Sequence, residues 1–377
     1  MDYRSIHRVL TRLSLGGVVL AISLGATTGF AQKFTVTVLG NIANGVSTSA
    51  NAMNNAGQVV GSADDMSGNT FATIWNGTTP TIIAGSVLPG ISAASASASA
   101  INNSGIVVGA EYSLGILFGY IPFVWSPTFS YCPDCDAGRA SGINDSGAFV
   151  GSVPVPGGGG PNVPAFVPVI WASPGDATEP NGLQLLNLNG GGAVGINDTG
   201  QIVGYSYTTN TACCGAGSPH ATRWASANSP PKDLGTLGGA SSGALNINNR
   251  GFIVGWAEIG NGTEHAALWG PTTTAFDLGT LGGKSSYASG INVEGDVVGS
   301  AQTVWGVWHA VLWTNKHHKA VDLNTEIDGQ KAREITLLDA VATNDRCMIV
   351  ANGYNNKTGA AESFVLSLTD QSNCAEQ

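Results

Sequence analysis

The sequence predicts an all-β fold, a single β-propeller of seven four-stranded blades. Three observations carry that prediction: a motif that recurs about every forty-five residues, a glycine-rich and charge-poor composition, and strand-like runs that fall in one fixed order. The motif is Ile-Asn-x-x-Gly-x-x-Val-Gly. It reads Met53-Asn54-Asn55-Ala56-Gly57, then recurs at 101–105, 143–147, 196–200, 247–251 and 291–295, with a worn seventh copy at Thr343-Asn344-Asp345-Arg346-Cys347. Its asparagines (Asn54, Asn102, Asn144, Asn197, Asn248, Asn292, Asn344) lie 48, 42, 53, 51, 44 and 52 residues apart. Units repeating at this length bury their apolar faces against their neighbours. Of 377 residues, 43% are hydrophobic, 11% charged and 53 are glycine. That excludes a disordered chain and suits short strands joined by tight turns.

The chain opens on Arg4, Arg8 and Arg12, an apolar stretch over 13–24, and Gly29-Phe30-Ala31 ahead of Gln32. This layout predicts a signal peptide over 1–31 that is cleaved on export to the periplasm or the medium. Twelve apolar residues are short for a bilayer span, and no later segment in the sequence is long and apolar enough to make one. The propeller is expected over 32–368, with a tail over 369–377. Taking three Arg and one Asp from totals of 15 Lys+Arg and 25 Asp+Glu leaves a mature net charge of −12. That balance argues against nucleic acid and against an anionic membrane surface.

Units five and six show how one repeat is built. Each opens with Asp-Leu-Gly-Thr-Leu-Gly-Gly, at 233–239 and 277–283, read as outer strand d. A small-residue segment follows as inner strand a, then the Asn-x-x-Gly turn and an apolar strand b ending in Val-Gly. A variable loop leads to strand c, which starts His-Ala and ends in Trp. The a–b connection is a hairpin, with Asn bonding its own backbone and Gly supplying the left-handed residue. Ala, Ser and Gly in strand a suit the crowded axis of a radial array. Trp75, Trp125, Trp171, Trp224, Trp269 and Trp313 close strand c and are expected between blades, with Ser367 in that place in the last copy. Candidate d strands are 34–39, 80–85, 127–131, 184–188, 232–237, 276–281 and 320–324. The chain therefore starts on a d strand and ends on a c strand, so its first strand completes the last blade and protects a sheet edge.

The His-Ala at strand c, with the Ile-Asn-x-x-Gly-x-Val-Val-Gly core, resembles the probable extracellular repeat called the HAF family over residues 33–367, most strongly at 186–313. The sequence departs from it where Thr222, Ala267 or Val311 stands for Phe, and the first three units lack the His. The resemblance implies a secreted bacterial protein without an established activity. Strand order and the terminal Trp are also similar to WD-repeat propellers, although the Trp-Asp pair is absent.

With strand a innermost, the d–a and b–c loops share one face. Variable loops on a rigid scaffold carry binding, and these hold Asp64, Asp65, Tyr112, Tyr205, Tyr207, Trp256, Glu258, Trp305 and Trp308. Aromatics with a few carboxylates suit a sugar or a peptide. The reading is a monomeric, non-catalytic secreted propeller that binds a protein or carbohydrate partner, with no cofactor and no metal. Two other readings stand beside it: an enzyme acting on polysaccharide or peptide through Asp64, Asp65, Glu111 and Glu258, and a structural envelope or surface protein. No catalytic residue is assigned, since nucleophilic triads and phosphate loops are missing. Cys132, Cys135, Cys213, Cys214, Cys347 and Cys374 are expected as disulfides after export, Cys347 and Cys374 tying the tail to the last blade. His220, His265 and His309 diverge around the ring and are expected to bond within their blades, not to share an ion.

Overall fold

A computed structural model describes residues 34–84, 93–113, 119–132, 137–155, 166–171, 183–186, 190–207, 217–271, 274–370 and 374. The expected signal peptide, Cys135, Cys213 and Cys214 lie outside them. The first strand is β1 (Phe34–Val38). Unit one follows as β2 (Gly45–Met53), β3 (Val59–Asp65), β4 (Thr70–Asn76) and β5 (Thr79–Ala84). Unit two is β6 (Ala93–Ile101), β7 (Val107–Ser113), β8 (Gly119–Ser126) and β9 (Phe129–Tyr131). Unit three is β10 (Arg139–Ile143), β11 (Phe149–Pro154), β12 (Phe166–Trp171) and β13 (Leu183–Leu185). Unit four is β14 (Gly191–Ile196), β15 (Ile202–Tyr207), β16 (Pro219–Trp224) and β17 (Lys232–Asp233). Unit five is β18 (Gly238–Ile247), β19 (Ile253–Ile259), β20 (Glu264–Trp269) and β21 (Ala275–Asp277). Unit six is β22 (Gly282–Ile291), β23 (Val297–Thr303), β24 (Trp308–Trp313) and β25 (Ala320–Asp322). A short helix, α1 (Lys331–Glu334), then precedes β26 (Ile335–Thr343), β27 (Ile349–Asn355) and β28 (Ala361–Leu368).

Each unit is an antiparallel meander in chain order, and units one and two share a single parallel bridge, Thr70↔Ser95. The last three strands take β1 as their fourth and with it make unit seven, in register from Phe34↔Leu368 to Val38↔Phe364. Strand d is shorter than expected. In unit four it covers only Lys232–Asp233, because Gly235 and Gly238 adopt φ of 73° and 104° and turn the chain. The Asp-Leu-Gly-Thr-Leu-Gly-Gly segment is thus the end of one outer strand, a loop and the start of the next inner strand.

Every inner strand carries a β-bulge at one place, between Ala50 and Ala52, Ala98 and Ala100, Ala140 and Gly142, Ala193 and Gly195, Ala244 and Asn246, Ala288 and Gly290, and Ala340 and Ala342. The extra residues, among them Asn51, Ser99, Ser141 and Leu245, line an axial channel of about 360 Å³. The small-residue strands are therefore innermost. The bulge also explains the Gly that ends the motif. A Cβ on Gly61, Gly204, Gly255 or Gly299 would sit within about 2 Å of an inner-strand carbonyl oxygen. No side chain fits there.

The core lies between units. Trp171 packs with Val108 and Val124 of unit two, Trp224 with Val150 of unit three, Trp269 with Val203 of unit four and Trp313 with Val254 of unit five. Trp75 packs with Val350 and Val365, so the first unit is set against the last. Each buried indole contributes roughly 5 kcal/mol of transfer free energy. Trp75 Nε1 donates to Gly40 O at 2.7 Å, while the ring N–H groups of Trp171, Trp224, Trp269 and Trp313 are enclosed without an acceptor. That costs about 1–3 kcal/mol each, so burial wins. Trp125 differs in being only half-buried. In the last copy the residue in the Trp place is Leu366, not Ser367. Leu366 pairs with Ile349 as Trp313 pairs with Val297, and it is fully buried.

Candidate functional site

The two ends of the channel are built differently. At the a–b end, the motif asparagines do two jobs. Asn54 Oδ1 accepts from the Ala56 and Gln58 N–H groups, closing the turn, and Gly57 takes φ 83°. Its Nδ2 then donates to Asn102 O in the next unit at 3.1 Å. The same inter-unit bond runs from Asn102 to Asn144, Asn144 to Asn197, Asn197 to Asn248 and Asn248 to Asn292, and Asn344 returns it to Asn54 at 3.2 Å. Asn292 departs, its Nδ2 reaching the buried Asp296 carboxylate.

The following residue adds a second ring. Asn55 N donates to Asn103 Oδ1, Asn103 N to Asp145, Asp145 N to Asp198, Asp198 N to Asn249, Val293 N to Asp345, and Asp345 N back to Asn55. Val293 has no acceptor to offer Asn249, and there Arg250 reaches Val293 O instead, at 3.2 Å. In the worn seventh copy Cys347 takes the left-handed place of Gly at φ 55°, and its Sγ lies 2.06 Å from that of Cys374. Turn chemistry explains half of each asparagine's role. The bond to the neighbouring unit was not legible in the motif.

At the b–c end, the cross-strand pair just above each bulge varies from unit to unit. In unit four it is Gly192↔Tyr205, in unit five Gly243↔Trp256 and in unit six Tyr287↔Ser300. One aromatic is present each time, though the strand that supplies it changes. A Cβ on Gly192 or Gly243 would meet the Tyr205 or Trp256 ring at 3.1 and 2.8 Å, so each ring lies on its glycine. The other units place small or charged pairs here: Ser49↔Ser62, Ser97↔Ala110, Arg139↔Ser152 and Asp339↔Asn352.

Around these three aromatics stand further rings and acids. Tyr287 lies 5.5 Å from Trp308 and donates its hydroxyl to Glu264 Oε2. Burial first, then Glu264, pushes the Tyr287 phenol up to about 12. Glu264 faces Glu258 across β20 and β19, and Glu258 Oε2 accepts from Ala240 N at 2.9 Å. Burial, aided by Tyr207 at 6.5 Å, raises the Tyr205 phenol, while the Arg139 guanidinium opposes it. Arg139 stacks 3.6 Å over Tyr120, whose ring meets Tyr112 edge-on at 5.2 Å. Asp339 bonds Ser300, and burial holds its carboxyl above the usual range, with Oδ1 enclosed and unpartnered. Of the residues expected to bind, Tyr205, Tyr207, Trp256, Glu258 and Trp308 lie beside these three aromatics in units four to six, whereas Tyr112 lies in unit two. Sequence reasoning missed Tyr120, Arg139, Glu264, Tyr287 and Asp339. Aligning unit five on unit six reveals Tyr287 as the counterpart of Gly243.

Asp64 and Asp65 are occupied elsewhere. Asp64 accepts from Ser47 and Thr70 hydroxyls at 2.5 and 2.7 Å. Asp65 caps its own turn, and chiefly the Asn69 side chain holds its carboxyl below the usual range. Glu111 is buried. The four acids considered for catalysis are spread over units one, two and five. Trp305 stands apart at the tip of the turn after β23, 87% exposed. His220, His265 and His309 bond Asp233, Asp277 and Asp322 at 2.8, 2.9 and 2.6 Å, tying strand c to strand d within a unit as expected. Among the described residues no group of three or more His, Cys, Asp or Glu is placed to hold a metal ion.

No family model matches the chain, and no curated protein does. Solved structures do. The chain is similar to the β-propeller domain of the Trilobed protease from Pyrococcus furiosus, described as an open velcro topology. That match has a TM-score of 0.58 at 11% identity and covers 88% of this chain and 98% of that one. It is also similar to the extracellular domain of the putative one component system BT4673 from B. thetaiotaomicron. There the TM-score is 0.50 at 10% identity, over 89% of this chain and 40% of that one. TolB from Acinetobacter baumannii matches at a TM-score of 0.45 and 9% identity, over 89% of this chain and 80% of that one. At these identities the first two likenesses establish an all-β, propeller-like repeat fold and nothing about activity.

Proposed function

We propose that this is an exported propeller of seven blades, sealed by β1, that binds a protein or carbohydrate through its b–c face and catalyses no reaction. The observation that carries the reading is the contrast between the channel ends. At the a–b end the motif side chains are spent on each other. On the b–c side Met66, Val304, Trp305 and Val307 stand 73%, 67%, 87% and 48% exposed in well-formed turns. Apolar groups gathered in solvent, as Val304, Trp305 and Val307 are on one turn, mark interaction sites.

Export is supported by the layout of residues 1–31 and by the Cys347–Cys374 pair. Among the described residues no helix is long and apolar enough to cross a membrane. The resemblance to the extracellular repeat family rests on the same motif that builds the rings.

The test is a glycan array together with capture of secreted proteins, using the exported chain and a Met66→Ala/Trp305→Ala variant. The variant should lose at least about tenfold in binding with its melting temperature unchanged. Undiminished binding by the variant, or none by the parent in either format, refutes the reading.

A further inference from the structure

We infer that the aromatic half-ring of units four to six is a carbohydrate subsite that takes a neutral oligosaccharide laid along the channel mouth. Trp256 and Trp308 serve as stacking faces, and Glu258 and Glu264 as hydroxyl acceptors. This rests on the reading of the b–c side as the binding side and names its ligand class.

Repetition supplies the first argument. If packing required an aromatic above the bulge, every unit would carry one. Units four, five and six do so, and units seven, one, two and three do not. Units five and six match closely along 233–269 and 277–313, yet they deliver the ring from opposite strands. What is kept is an aromatic surface at that place, not a residue at that position.

Geometry supplies the second. Tyr205 and Trp256 each lie flat on a glycine, and both are half-exposed, so one side of each ring is spent on the sheet and the rest meets solvent. Trp308 is half-exposed too, beside Tyr287. A pyranose ring offers an apolar C–H face to such a surface and directs hydroxyl donors around its edge.

Chemistry supplies the third. An ionised carboxylate only accepts, with about four lone-pair sites. Glu258 and Glu264 each have one oxygen bonded within the protein, which holds the group in place and leaves acceptor capacity. Hydroxyl donors satisfy such groups. An anionic sugar would be repelled by the Glu258 and Glu264 carboxylates, and Arg139 is already stacked on Tyr120. The ligand is therefore a neutral saccharide.

The experiment titrates the exported, disulfide-bonded chain with cellohexaose, xylohexaose, laminarihexaose and chitohexaose, following tryptophan fluorescence and heat. Saturable binding of at least one is expected, with a dissociation constant of about 10 µM to 1 mM. Trp308→Ala should weaken it at least about tenfold. Tyr287→Phe, which keeps the ring and loses the hydroxyl bond to Glu264, should weaken it about threefold to tenfold while the chain stays folded by circular dichroism. Absence of binding to all four at about 10 mM, or binding indifferent to both variants, overturns the subsite. If the hexasaccharides fail while the Met66/Trp305 variant still loses a protein partner, the subsite falls and the binding face stands. If both fail, so does the face.

Discussion

The a–b and b–c ends of the channel are made by the same strands, yet one is nearly uniform from unit to unit and the other is not. At the a–b end each unit must meet the next through the same backbone groups, so each presents the same side chain: Asn, with a donor for the neighbour and an acceptor for its own turn. At the b–c end no bond to the neighbour is required of the loop, and the residues diverge. Bonds that must close a ring constrain every unit at once, whereas a side chain facing solvent answers only to what it binds.

The largest effect should come from cutting the uniform end. Asn248→Ala removes the Oδ1 acceptor of two turn N–H groups and the bond to Asn292 O. It should cost about 2–4 kcal/mol in urea unfolding. Trp305→Ala, at the variable end, should stay within about 0.5 kcal/mol. Equal costs would erase the distinction between the two ends.

The worn seventh copy is next. Cys347 occupies the left-handed turn position and is tied to Cys374 across 27 residues. Cys374→Ser should lower stability by about 2–3 kcal/mol under oxidising conditions and by nothing measurable in reductant. A loss that persists unchanged in reductant would assign the cost to something other than the crosslink.

Asp339 comes third, and here the sign matters. Burial raises its folded-state pKa above the unfolded value. Its favourable contribution is therefore complete below the ordinary carboxylate range and lost as pH rises through the raised value. At neutral pH the ionised group is a cost. Asp339→Asn keeps the partner for Ser300 and should add about 1 kcal/mol at pH 7, with no gain near pH 3–4. A gain independent of pH would point to packing.

The smallest effect should be a repair. Val293 interrupts the second ring, and Val293→Asn supplies Asn249 N with the acceptor found in the other units. It should add about 0.5–1 kcal/mol by thermal unfolding. A destabilised variant would show that Arg250, not the ring, is what that junction needs.

Much of this architecture was legible because it is periodic. The motif spacing located every a–b hairpin, the Ala-Ser-Gly runs marked the inner strands, and the order of strands anticipated β1 beside β28. Boundaries failed where local chemistry overrode pattern. Left-handed glycines cut the d strand short in unit four, and a one-residue offset put Leu366, not Ser367, in the Trp place. Of the nine residues expected to bind, Tyr205, Tyr207, Trp256, Glu258 and Trp308 lie beside the aromatics of units four to six, and Tyr112 lies in unit two. Asp64 and Asp65 lie in unit one, where Ser47 and Thr70 satisfy the first and its own turn the second.

The sequence by itself determined the repeat, the hairpin turns, the apolar seams between units and the acidic balance, since each is written in short-range spacing and composition. Only the tertiary structure decided which side-chain bonds join one unit to the next, and that Tyr205, Trp256 and Tyr287 occupy equivalent places. The reason is physical. Propensity and pattern act over a few residues, but bonds such as Asn344 to Asn54 and rings supplied by alternate strands exist only once distant segments have packed together.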